Sequence, residues 1–253
     1  MKFGSLVISI WMQSSLFAAV AHAGNGDRNI VRVMKAVDEC KNAEAANPNQ
    51  ATLTEMESAV CFRGRIGRDA DRAIIPLLSR KDKIFIVNSI GGDGIAAAKI
   101  GLHILENRLD VAAHGLCLSS CASYFFLAGF RKYLMPDTIL AWHGAPRAEP
   151  SFRQKLLDND GRLQLVYQLS QQFFDAAKVD RRLALGPDLI HPGCEAWMAG
   201  WDSRNVHFWT WSRRALEQRF HVPGIETYWY PDDSKIIADL GRKHGFEVLV
   251  GPK

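Results

Sequence analysis

Two adjacent hydroxyls, Ser119 and Ser120, and one imidazole, His143, are the side chains whose types and spacing could carry chemistry. They fall in residues 116–143, LCLSSCASYFFLAGFRKYLMPDTILAWH. A serine hydroxyl is a weak nucleophile until a base within hydrogen-bond reach takes its proton. A fold can bring a histidine about two dozen residues away to that place. Upstream, Asn88-Ser89-Ile90-Gly91-Gly92 offers backbone N–H groups of the kind an oxyanion needs, with no Cβ at the glycines to hold a substrate off. Together these pieces predict acyl transfer. Taken alone, either serine would more often be a helix cap.

The surrounding pattern predicts the elements that must position them. Residues 31–46 read as an N-terminal helix and 57–66 as a strand, followed by a helix that Asp69 caps. Residues 83–88 hold a continuous apolar run of the buried parallel type. Asp93 caps the next helix, whose Ile95, Ala98, Leu102 and Leu105 keep helical spacing. A strand at 109–113, a helix at 120–127 and short strands at 132–134 and 138–142 come next, then a helical stretch at 151–185. Strands and helices alternating over such short connections predict an α/β fold with crossovers. The aromatic-rich stretch containing Trp197, Trp201, Trp209, Trp211, Tyr228, Trp229 and Tyr230 reads as a layer covering the core rather than as a ligand platform.

Composition narrows the setting. Lys2, an apolar stretch from Leu6 to Val20 and Ala21-His22-Ala23 predict a signal peptide over residues 1–23. The apolar run is too short and interrupted for a stable membrane anchor. The expectation is export, to a periplasm or the exterior. The formal charge of +4 becomes +3 once Lys2 is removed, with no basic run, which argues against nucleic acid as a partner. All five cysteines, Cys40, Cys61, Cys117, Cys121 and Cys194, follow the signal segment. Cys40–Cys61 is the favoured disulfide, pinning the N-terminal helix to the first core strand. Two of the other three are expected to pair, in an order the sequence leaves open. His191 and Cys194 lack a second pair of residues at metal-ligand spacing, so no metal is expected. Gly91 to Gly94 lack the lysine and Ser/Thr of a phosphate loop, and no cofactor is expected.

Residues 61–143 resemble the core of the ClpP and crotonase-like superfamily, and more closely a group of exported ClpP-like proteins. The resemblance covers about a third of the chain and runs in order. It comprises Phe62-x-Gly64 at a strand end, the strand entering NSIGGDG, the serine-bearing helix ending in Leu127-Ala128-Gly129, and Met135-Pro136-Asp137 leading to His143. It implies a repeated ββα spiral core spanning residues 56–253, less clearly after residue 146, behind a helical extension at 24–55. Counted back from Ala128-Gly129 along the helix, it places the nucleophile at Ser120; counted forward from Gly115, at Ser119. Ser120 is preferred, because a helix fixes spacing more rigidly than a loop. His143 corresponds to the general base, and the amides of Gly91 or Gly92 and of Cys121 to the oxyanion hole. Ile90 stands where the family usually has proline. The family's aspartate has no counterpart before Trp229, which leaves Glu226, Asp202, Asp232 and Asp233 as candidates for the third member.

The expected function is therefore an exported serine hydrolase, peptidase-like, acting on a peptide or another acyl compound and able to self-associate. The rival is a catalytically inactive ClpP-like binding or scaffold protein. A crotonase-type enzyme acting on coenzyme A thioesters is a third reading, which export opposes.

Overall fold

A computed structural model describes residues 25–46, 50–79, 83–143, 161–185 and 207–250. The fold is mixed α/β with a mostly parallel sheet of seven strands. Strands β1 (Thr52–Glu55), β2 (Ala59–Ile66), β3 (Ile84–Gly92), β4 (Val111–Leu118), β5 (Lys132–Leu134) and β8 (Ile225–Tyr228) lie in that spatial order, and β6 (Ile139–Ala141) also pairs with β4. Only the β1–β2 pair is antiparallel.

Apolar continuity explains the central strands. Ile84-Phe85-Ile86-Val87 is buried throughout, as a parallel strand covered on both faces must be. Helix α2 (Ala70–Leu78) connects β2 to β3, and helix α3 (Gly94–Asn107) connects β3 to β4. The Asp93 carboxylate accepts from the amides of Ile95 and Ala96 and caps α3. Asp69 precedes α2 without a side-chain cap bond. The strand predicted at 109–113 runs on to Leu118, and the helix predicted at 120–127 is a short π-wound helix, α4 (Cys121–Phe126). Helices α5 (Gly161–Ala177) and α6 (Arg182–Leu185) occupy the described part of the long helical stretch.

The N-terminal helix α1 (Asn25–Ala45) lies against the sheet and buries Val33, Ala36 and Val37. A disulfide joins its Cys40 to Cys61 of β2. Its Glu44 is almost fully buried and accepts from His114 Nε2 at 3.0 Å and Asn88 Nδ2 at 2.9 Å. A second disulfide links Cys117 to Cys121, so Cys194, outside the described residues, is the odd cysteine. Both bridges fit an oxidising compartment. Among the described residues no helix is long and apolar enough to cross a membrane.

The later segment adds what the sequence pattern did not reveal. Strands β7 (His207–Thr210) and β9 (Glu247–Val250) form a separate parallel pair, with helices α7 (Ala215–Arg219) and α8 (Ser234–Lys243) beside β8 and β9. Trp209 and Trp211 are buried, and both indole N–H groups donate to the Leu183 carbonyl, as expected of a packing layer. Trp197 and Trp201 lie outside the described residues.

Candidate active site

Strand β4 ends at Leu118, and the chain turns into α4 through Ser119, whose φ is +57°. A residue with a Cβ rarely adopts this conformation, which here aims the side chain out of the turn. The Ser119 N–H donates to the Ala141 carbonyl at 2.9 Å, tying the turn to β6. The Cys117–Cys121 bridge spans the same turn.

Two residues beyond Ala141 stands His143. Its predecessor Trp142 exchanges both backbone hydrogen bonds with Trp209, each at 2.8 Å, and this fixes where the ring emerges. The His143 Nε2 lies 2.5 Å from Ser119 Oγ. Phe208 meets the ring edge-on with centroids 5.2 Å apart. Burial pushes the imidazole pKa below its ordinary value, and a hydrogen bond to its own backbone offsets only part of that. The ring is therefore neutral at pH 7 and able to accept the Ser119 proton. A cavity of about 130 Å³ opens on the pair, lined among others by Gly92, Ser123, Tyr124 and Val166.

The preferred nucleophile is placed differently. Ser120 is buried; its hydroxyl accepts from the Gly92 amide at 2.8 Å and donates to the Gly92 carbonyl at 3.2 Å. It fastens the head of α4 to the end of β3, while the imidazole meets its neighbour. The π winding of α4 supplies the reason. Each ring closes one residue later than in an α-helix, so a count of α-helical turns back from Gly129 stops one residue short, at Ser120 instead of Ser119.

The glycines are necessary, yet their amides are occupied. At Gly91 (φ +83°) a Cβ would sit 2.6 Å from the Leu118 carbonyl oxygen and 2.8 Å from the Ser119 Cβ; at Gly92 (φ +149°) it would sit 2.2 Å from the Ile66 carbonyl oxygen. The Gly91 N–H donates to Ser89 Oγ at 3.1 Å, and that hydroxyl donates to the Gly64 carbonyl. With Gly92 turned to Ser120, neither expected glycine donor is open in this arrangement. Cys121 begins α4, where the first N–H groups have no intrahelical acceptor. Ser89 was not singled out in the sequence, since nothing in its type or spacing separates it from an ordinary strand residue.

The acids do not converge on the ring. Glu226 lies on β8, and its electrostatic neighbours are Arg131 and Tyr133. Tyr133 pairs with Ala112, whereas Ala141 pairs with Leu118, so Glu226 and His143 stand toward opposite ends of β4. Asp232 is exposed, and Asp233 caps α8 through the Lys235 amide. Asp202, with His191, lies outside the described residues. Among the described residues no carboxylate is hydrogen-bonded to His143.

No protein-family model matches the chain, and no curated protein matches it. Among solved structures, the chain is similar to a point mutant of ClpP1 from Listeria monocytogenes. Identity is 16%, coverage is 47% of this chain and 71% of that one, and the TM-score is 0.35. A likeness of that size assigns neither a family nor an activity.

Proposed function

We propose that the chain is an exported serine hydrolase of ClpP-like architecture, peptidase-like in its chemistry, in which Ser119 is the nucleophile and His143 the general base. The observation that carries this is the 2.5 Å approach of Ser119 Oγ to a half-buried, neutral imidazole, from a turn held at φ +57°. Ser119 Oγ attacks the acyl carbon as its proton passes to His143 Nε2. The tetrahedral oxyanion faces the amides at the head of α4, those of Ser120 and Cys121. Collapse expels the leaving group, which takes the proton from His143, and water then releases the acyl group by the same steps. Residues 1–23 serve as the signal peptide in this reading, so the mature chain begins at Gly24.

A fluorophosphonate probe tests the assignment, because it reacts only with an activated hydroxyl. The wild type and Ser120→Ala are expected to label, and Ser119→Ala and His143→Ala are not. Labelling that survives Ser119→Ala and is lost in Ser120→Ala would return the nucleophile to Ser120.

One set of observations favours a second reading, a binding or scaffold protein without turnover: His143 has no carboxylate partner among the described residues, and the Gly91 and Gly92 amides are engaged internally. A protein that labels with none of its serines but retains its fold by circular dichroism would establish that reading.

A further inference from the structure

Beside the Ser119–His143 pair lies a larger groove, about 750 Å³ in volume. Its floor is apolar, built from Ile90, Leu116, Leu118, Phe208 and Phe246, and its rim carries Arg65, Arg242, His244 and Glu247. Three observations join it to the pair. Leu118 immediately precedes Ser119. Phe208, which lines the groove, is the ring that meets His143 edge-on. Arg65 is the register partner of Gly91, and Gly91 packs directly against Ser119.

Ile90 is 48% exposed although it lies in a strand whose apolar residues are otherwise buried. An apolar side chain left open in a concave site is what a ligand covers. The rim gives that ligand a sign. Arg65, Arg242 and the His244 imidazole line it with one carboxylate, Glu247; Arg242 also has an ion pair with Asp239, on its own helix α8 and outside the groove lining. Arg65 is exposed and has no ion-pair partner among the described residues.

We infer that this groove holds the acyl part of the substrate, and that the acyl part is an apolar chain bearing a second negative charge, a carboxylate that pairs with Arg65 and Arg242. The inference rests on the hydrolase reading for the reaction, though not for the binding. From Ser119 to Arg65 by way of Gly91 is two strand spacings, about 10 Å. A suberyl chain, the dicarboxylic counterpart of octanoyl, reaches across it.

Two esters differing only in that end group provide the test: p-nitrophenyl hydrogen suberate and p-nitrophenyl octanoate. The expected ratio of kcat/KM, suberate over octanoate, is roughly tenfold, as one charge-assisted contact of about 1.4 kcal/mol gives. In Arg65→Gln combined with Arg242→Gln the ratio falls to about one. In Arg72→Gln, a surface arginine paired with Asp69 outside the groove, it persists. A wild-type ratio near one, or a ratio that survives the double substitution, overturns the inference. Binding separates this from the reaction itself. Calorimetry on Ser119→Ala should find suberic acid monoanilide bound roughly tenfold more tightly than octananilide. Selective binding by a protein that hydrolyses neither ester keeps the groove and removes the hydrolase. Turnover of both esters at equal rates, with equal binding of the two anilides, does the reverse.

Discussion

At the scale of single residues, the two serines divide what the sequence left in one pair of adjacent letters. Ser119 holds the left-handed backbone and the imidazole; Ser120 holds the peptide of Gly92. That a hydroxyl and His143 would meet could be read from type and spacing. Which hydroxyl could not, because the answer turns on one residue of helix winding, and π winding leaves no mark in side-chain type. In the proposed hydrolase, loss of the Ser119 hydroxyl should lower turnover on the order of 10⁴-fold or more, since base and donors have nothing left to activate. Ser120→Ala should act more gently, by releasing the Gly92 amide and loosening the head of α4. The proposed base, His143, gives a pH signature. Its protonated form cannot accept from Ser119, and burial places its pKa below the ordinary 6.5. Acylation should therefore be constant near neutrality and fall only as pH drops through that lowered value. A rate that falls between pH 8 and 7 contradicts a half-buried, neutral His143.

At the scale of elements, the strands and helices from β2 to His143 were legible because they carry simple signals: a continuous apolar run for β3, helical spacing and a capping aspartate for α3. Strand β1 was missed, being a four-residue TLTE that buries no side chain fully. Strands β7 and β9 were missed because Phe208 and Val248 find their apolar partners far along the chain. The disulfides show two uses of one bond. Cys40–Cys61 closes a separation of 21 residues and, in the chain-entropy model, contributes on the order of 3 kcal/mol to stability. Cys117–Cys121 closes a separation of 4 and contributes on the order of 2 kcal/mol, but it spans the turn that aims Ser119. Replacing the first pair with alanines should lower the denaturation midpoint and leave the fluorophosphonate labelling rate of the folded protein unchanged. Replacing the second pair should slow labelling at temperatures where that protein is still folded. Equal labelling rates in both double variants would show that the turn needs no covalent brace.

At the scale of the whole molecule, the α/β class followed from the order of elements, whereas the joining of the later segment to the sheet, by the β5–β8 ladder, includes one buried charge. Lys132 on β5 is 1% exposed, and its ammonium donates to the carbonyls of Gly129 and Pro223, fastening the turn after α4 to the turn before β8. Nothing around position 132 marks a lysine as internal, because its partners are main-chain carbonyls, one of them 91 residues away. Burial without a carboxylate lowers its pKa from 10.5 to about 8. The folded state therefore binds fewer protons than the unfolded chain between those values. Below pH 8 the charged group opposes folding by about 3 kcal/mol, and this opposition fades as pH rises toward 10.5. The neutral amine still has two N–H donors for the two carbonyls, so the tie survives the loss of charge. Urea denaturation of the wild type should accordingly show stability rising from pH 8 to 10 relative to Lys132→Met, whose side chain does not titrate. Comparison at each pH cancels the tyrosines, among them Tyr228, whose buried hydroxyl resists ionisation. Parallel curves for the two proteins would mean that the ammonium is as well solvated inside the fold, by the Gly129 and Pro223 carbonyls, as in water.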